Sequence, residues 1–302
     1  MSEYTPRYLK AGDTIGILSP ARFIAPHQVE PTVNWLKKHQ FNVVLSPNIF
    51  ENHHQMAGTD MQKIADFQQF INDPNIKAIL CARGGYGSVR LVDRLDYTSL
   101  VNQKKWILGY SDITAFHTHI HQHTGLPTIH STMPINITAD GTHHETMSRQ
   151  TLLDALMGND LTYKLHNHPL NKIGNANGIL VGGNLSILYS LCGSSSDLST
   201  EGKILFLEDL DEHLYHIDRM MMNLKRTGKL NRLAGLVVGG MSDMNDNTIP
   251  FGKTAEEIIL EHTCEYDYPI YFGLNAGHTQ PNQALRLGMN VYIQDNTLFL
   301  PA

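Results

Sequence analysis

The chain has 302 residues, 41% of them hydrophobic, enough core for one large domain or two of about 150 residues each. A formal charge of -6 with no long basic run argues against a nucleic-acid partner, and no apolar stretch reaches the ~18 residues a membrane helix needs. The three cysteines (Cys81, Cys192, Cys264) are odd in number and far apart, which fits free thiols in a reduced compartment.

The opening run MSEYTPRYLKAGDTIGIL has no basic segment followed by an apolar one, so it is not read as a secretory signal, and a cytoplasmic location is expected. Residues 14–21 (TIGILSPA) read as a buried strand. A helix over 28–40 puts Val29, Val33 and Leu36 on one face. Residues 41–46 form a second strand. A helix over 59–71 follows, with Thr59 or Asp60 as cap and Met61, Ile64, Phe67 and Ile71 turned inward. Residues 76–82 are a third strand, leading into a glycine loop and a short helix over 89–95. Residues 106–109 are a fourth strand, and a helix over 112–124 stops at Gly125. This alternation predicts a parallel sheet covered on both faces.

The polar stretch 159–177 reads as a linker between two halves. Beyond it, strands at 178–181, 203–208 and 235–239 alternate with helices at 185–191, 215–224 and 255–262. Short strand-like runs at 285–287, 291–293 and 298–300 suggest a small antiparallel or mixed sheet. The expected fold is α/β. An N-terminal parallel-sheet domain spans residues 1–160, a linker 161–177, and a C-terminal α/β domain with a small mixed sheet 178–302.

Three segments carry candidate chemistry. In WILGYSDITAF, Ser111 falls where an apolar strand gives way to a helix, a turn that projects a hydroxyl above a sheet edge. The free N–H groups at the helix start would favour an oxyanion there, with the amide of Asp112 as first donor and the Asp112 carboxylate as helix cap. Ile113 replaces the second glycine of G-x-S-x-G, so a plain helix-capping serine is the competing reading. In ILCARGGYGS, another strand runs into Gly84, Gly85 and Gly87. The loop lacks the G-x-G-x-x-G and P-loop patterns. It fits either a tight turn or a second oxyanion donor, from Gly84 or Gly85. Arg83 fits a substrate carboxylate or a surface ion pair. A serine nucleophile needs a base and an orienter. Glu208, at the end of an apolar strand, is the preferred acid among its neighbours Asp209, Asp211 and Glu212, and His278 in GLNAGHTQPN is the candidate base. Gly183 in VGGN either turns the chain or lines the cleft.

Together these segments resemble the LD-carboxypeptidase family, which includes murein tetrapeptide carboxypeptidases and microcin C immunity peptidases. The matching text is GDTIGILSPA, ARGGYGS, LGYSDITAF, GILVGGNLS, LFLEDLDEHLYHIDRM and FGLNAGH, in family order along nearly the whole chain. The resemblance implies a two-domain, cytoplasmic, homodimeric serine peptidase acting on a small peptide. Its triad would be Ser111, Glu208 and His278, its oxyanion hole the amides of Gly85 and Asp112, and it would use no metal or cofactor.

Other signals point elsewhere. His117, His119, His121 and His123 alternate along one helix, but no H-E-x-x-H glutamate or third ligand accompanies them, so they read as a polar helix face. His53–His54 and His143–His144 read as loop residues, and Met220–Met222 as core packing. The competing functions are a peptidase acting on a peptidyl nucleotide, a non-catalytic nucleotide-binding module built on the glycine loop, and a metallopeptidase built on the histidine helix.

Overall fold

The computed structural model describes residues 7–302. The first half alternates strand and helix: β1 (Thr14–Leu18), α1 (Pro26–Lys38), β2 (Asn42–Leu45), α2 (Asp60–Asn72), β3 (Ile76–Cys81), α3 (Thr98–Gln103), β4 (Trp106–Gly109), α4 (Thr114–Thr124), β5 (Thr128–His130) and α5 (His143–Met157), with α3, β5 and α5 added to the expected elements. The second half runs β6 (Leu161–Lys164), β7 (Ala176–Asn184), α6 (Leu185–Leu191), β8 (Ile204–Leu210), α7 (Leu214–Arg226), β9 (Gly235–Ser242), α8 (Ala255–Thr263), β10 (Ile270–Tyr271), β11 (Leu285–Leu287), β12 (Asn290–Gln294) and β13 (Thr297–Leu300).

Two sheets result. The first has the order β11-β5-β4-β3-β1-β2, parallel from β5 to β2 with β11 antiparallel at its edge. The second has the order β10-β9-β8-β7-β12-β13-β6, with a parallel half and an antiparallel half. The fold is α/β, as the alternation predicted. The three terminal strands do not form a sheet of their own. Pairing β12 against β7 and β11 against β5 satisfies their backbone groups on existing sheet edges.

The expected linker contains β6, which pairs with β13 because Leu161 and Tyr163 alternate inward. Helix α5, unforeseen, opens on a capping box. The Thr142 hydroxyl accepts from the Glu145 amide, and the Glu145 carboxylate accepts from the Thr142 amide. His143 and His144 therefore begin a helix rather than sit in a loop. Thr59 caps α2 in the same way. Met61 faces solvent, 69% exposed, while Phe67 and Ile71 carry the buried face. The short helix over 89–95 is two 3-10 turns, Ser88–Arg90 and Val92–Arg94.

Three apolar clusters hold the layers together. One packs α2 and α4 on one face of the first sheet through Phe67, Phe70, Ile107, Ile113 and Phe116. Another packs α6, α7 and α8 on the second sheet, where Met220 and Met221 are buried while Met222 is 42% exposed. The third is continuous between the halves, joining Ile15, Trp106 and Leu108 to Leu180, Phe206, Val237 and Tyr271. Arg286 on β11 is fully buried. It donates to the carbonyls of Asp154, Ala155, Asn159, Leu300 and Pro301, tying the end of α5 to the chain terminus. No helix among the described residues is long and apolar enough to cross a membrane. Cys81 is buried, Cys192 half-buried and Cys264 exposed, all as free thiols.

Candidate active site

Strand β4 ends at Gly109, and a 3-10 turn over Ser111–Ile113 links it to α4. Ser111 adopts φ 63°, in the left-handed region that a residue with a Cβ avoids. Such backbone strain is found where a side chain must be aimed, and it accumulates at functional sites. Ser111 is half-buried. The expected Asp112 cap is absent, since α4 starts after Ile113 without a side-chain cap. The Asp112 carboxylate instead accepts from the Ser88 amide at 2.8 Å, lashing the serine turn to the glycine loop. Burial pushes that carboxyl up, and the Ser88 bond opposes the rise.

The glycine loop meets the serine directly. A Cβ at Gly84 would fall 3.2 Å from Ser111 Oγ and 3.4 Å from the Asp112 amide nitrogen. Gly85 has φ 105°, and a Cβ there would fall 2.5 Å from Cδ of Arg22. Arg83 points elsewhere: its Nη1 donates to the Phe23 carbonyl at 2.9 Å. Gly183 serves packing between the halves. A Cβ there would fall 2.5 Å from Oγ1 of Thr114 on α4, and the same hydroxyl accepts from the Asn184 amide at 3.0 Å.

From the other half, β8 delivers Glu208 fully buried. A buried carboxylate costs several kcal/mol unless it is hydrogen-bonded. His278 supplies two bonds to Glu208 Oε2, from its ring Nδ1 at 2.7 Å and from its backbone amide at 3.0 Å. An ionised carboxylate only accepts, so Nδ1 carries the proton and Nε2 is left as an acceptor. Burial pushes the Glu208 carboxyl up, but the bonds and charge of His278 outweigh it and hold Glu208 below its ordinary value. Burial likewise pulls the His278 imidazole down, and Glu208 more than reverses this. Gly277 makes the approach possible at φ 96°, because a Cβ there would fall 2.5 Å from Glu208 Oε2. The hydroxyl of Ser242 anchors the carbonyl of His278. The neighbouring acids are placed differently. Glu212 pairs with His216 Nδ1 at 2.5 Å. Asp209 accepts from Asn184 Nδ2 and the Ser186 amide, and burial raises its carboxyl to about 7.

The halves meet at Tyr110, the residue before the serine, whose ring lies 4.8 Å from the His278 ring. Behind it sits His130, fully buried, against Tyr110 at 5.8 Å and Phe206 at 5.1 Å. Burial takes its imidazole down to about 4, so it is neutral. Neither ring nitrogen of His130 has a partner among the described residues, and neither does Glu208 Oε1. Tyr110, His130 and Arg22 escaped the sequence-based expectations. Tyr110 lies within a motif and Arg22 beside one, but only the fold shows which residues they touch. The histidine helix is not a polar face: His117 and His119 are buried, and His117 Nε2 bonds the Gly109 carbonyl at 2.9 Å. No cluster of potential metal ligands occurs among the described residues.

The family assignment agrees with this geometry. A model of the LD-carboxypeptidase N-terminal domain matches residues 15–131, and one of the C-terminal domain matches residues 177–293. The chain belongs to the LD-carboxypeptidase family. It is a serine-type peptide hydrolase. Among LD-carboxypeptidase relatives, a protein of Bacillus subtilis named "Probable murein peptide carboxypeptidase" is 35% identical over 292 residues, covering 94% of this chain and 90% of that one. The "Murein tetrapeptide carboxypeptidase" of Pseudomonas aeruginosa is 27% identical, covering 94% of each. Two solved structures share the fold at 22% identity. The immunity protein MccF in complex with glutamyl sulfamoyl guanosine superposes with a TM-score of 0.88, covering 99% of this chain and 98% of that one. The muramoyltetrapeptide carboxypeptidase of Oxalobacter formigenes does so with 0.85, covering 95% and 97%.

Proposed function

We propose that this protein is an LD-carboxypeptidase that removes the terminal D-alanine from murein tetrapeptide through an acyl-enzyme on Ser111. The observation that carries the reading is the Glu208–His278 pair, 2.7 Å across, whose imidazole lies 4.8 Å from the ring of Tyr110, the residue before a serine held at φ 63°. His278 Nε2 takes the hydroxyl proton as Ser111 Oγ attacks the scissile carbonyl. Glu208 fixes the tautomer and stabilises the imidazolium. The amides of Asp112 and Gly85 receive the oxyanion, each worth roughly 3 kcal/mol. His278 then protonates the leaving amine, and water, deprotonated by the same imidazole, releases the acid from Ser111. No step calls on a metal or cofactor. In this reading residues 1–160 supply the nucleophile and 178–302 the acid and base, and the protein works as a cytoplasmic homodimer.

The test is D-alanine release from tetrapeptide together with fluorophosphonate labelling. Ser111→Ala is expected to lose both, and His278→Ala to lose turnover while remaining folded, with a lowered melting temperature because buried Glu208 loses its ring partner. Wild-type turnover in either variant refutes the assignment. A second reading, cleavage of a peptidyl nucleotide, is supported by the likeness to MccF over 99% of the chain. Side-by-side turnover of the two substrates decides between them.

A further inference from the structure

A carboxypeptidase must recognise the free carboxylate of the residue it releases. That carboxylate lies within one residue of the scissile carbonyl, a span of ~3.5 Å of extended chain. A cation that recognises it must therefore border the oxyanion loop. Among the described residues, Arg22, Lys63, Arg83 and Arg90 lie on or beside that loop, and three are committed. Arg83 Nη1 donates to the Phe23 carbonyl at 2.9 Å. Arg90 Nε donates to Asp60 Oδ2 at 2.8 Å. Lys63, only 1% exposed in its side chain, pairs with Asp60 at 3.2 Å. The fourth, Arg22, is exposed, and its guanidinium has no hydrogen bond or ion pair among the described residues.

The position of Arg22 is fixed on both sides. Its amide donates to the Gly84 carbonyl at 3.3 Å, and its neighbours Ala21 and Phe23 bond the backbone of Ala57 and Gln55. Its side chain then lies over Gly85, where a Cβ would fall 2.7 Å from Nε and 2.5 Å from Cδ. A Cβ at the adjoining Gly84 would likewise fall 3.2 Å from Ser111 Oγ. The two glycines thus lie between the hydroxyl and a guanidinium that has no partner among the described residues.

We propose that Arg22 binds the terminal carboxylate of the leaving amino acid and so selects free peptide ends. A guanidinium meets a carboxylate through two parallel bonds and cannot meet a continuing amide that way. Gly85 is then needed twice, for its amide and for the room it leaves the Arg22 stem. The inference rests on Ser111 as nucleophile, and it replaces Arg83, whose guanidinium is turned to Phe23.

The experiment measures binding in the Ser111→Ala background, where substrate survives. A tetrapeptide ending in D-alanine and its C-terminal carboxamide are titrated calorimetrically against Ser111→Ala and against Ser111→Ala/Arg22→Gln. The added Arg22→Gln change is expected to raise Kd for the free acid by about 10- to 100-fold, the scale of charged hydrogen bonds. It should leave the amide within about twofold, and Arg22→Lys should retain part of the preference. Equal effects on acid and amide, no effect on either, or no measurable binding of the acid to Ser111→Ala would each overturn the proposal. Failure of the nucleophile assignment looks different: it appears as turnover by Ser111→Ala itself.

Discussion

Glu208 and Glu212 lie on the same acidic run, four residues apart, yet only Glu208 meets His278. Glu208 lies within the buried part of β8, whereas Glu212 lies beyond the strand and closes on His216 four residues later. Glu208→Gln is therefore expected to lose most of kcat, because a neutral amide no longer fixes the protonated Nδ1 or stabilises the imidazolium. Glu212→Gln should lose little. The reverse ranking in steady-state kinetics moves the acid to Glu212. The sign of the pH effect follows from the same pair. In the proposed mechanism His278 acts as a base only when neutral, and Glu208 holds its pKa above the ordinary histidine value. The acid limb of kcat/KM should lie above pH ~6.5 and fall as pH drops through the raised value. In Glu208→Gln the remaining activity should show that limb displaced to lower pH.

At the scale of elements, the site is an encounter of strand ends and loops. β4 presents Ser111, β3 runs into the loop of Gly84 and Gly85, β8 carries Glu208 near its end, and the segment after β10 folds back to bring His278 onto it. The last approach depends on Gly277, where any side chain both strains φ 96° and strikes the carboxylate. Gly277→Ala should displace the imidazole by a fraction of an ångström or more. A drop in kcat of about 10²-fold is expected for a misplacement of that order, with a smaller change in KM. Unchanged kcat would show that the loop absorbs the methyl group.

For the molecule as a whole, one apolar cluster runs from Ile15 and Trp106 in the first sheet to Phe206 and Tyr271 in the second. Buried polar bonds reinforce it: Asn184 to Thr114, Asn282 to Ser148 Oγ, and Tyr163 to the Ala284 carbonyl. Independent domains meet through more polar surfaces than this. The halves are thus expected to unfold together, in a single calorimetric transition whose van't Hoff and calorimetric enthalpies agree. Two resolved transitions would show that the halves are stable separately. Arg286 belongs at this scale too, since its removal strands carbonyls from two distant segments of the chain at once.

The sequence alone was sufficient for local matters. Apart from α3, the strand and helix alternation of residues 14–124, a cap at Thr59 or Asp60 and the strand-to-helix junction at Ser111 all follow from periodicity and turn chemistry within a short window. Helix α5 had its signal too, the Thr142–Glu145 capping box, but its few apolar positions hid the helical period. What lay out of reach was partnership between distant segments. Nothing near residue 161 or 285 specifies the edge on which those strands pair, because backbone hydrogen bonds carry no address. The burial of His117 and His130 and the choice of Glu208 over Glu212 likewise depend on which surfaces close over them. Only the assembled fold decides that, since pairing and desolvation are properties of neighbours rather than of a residue.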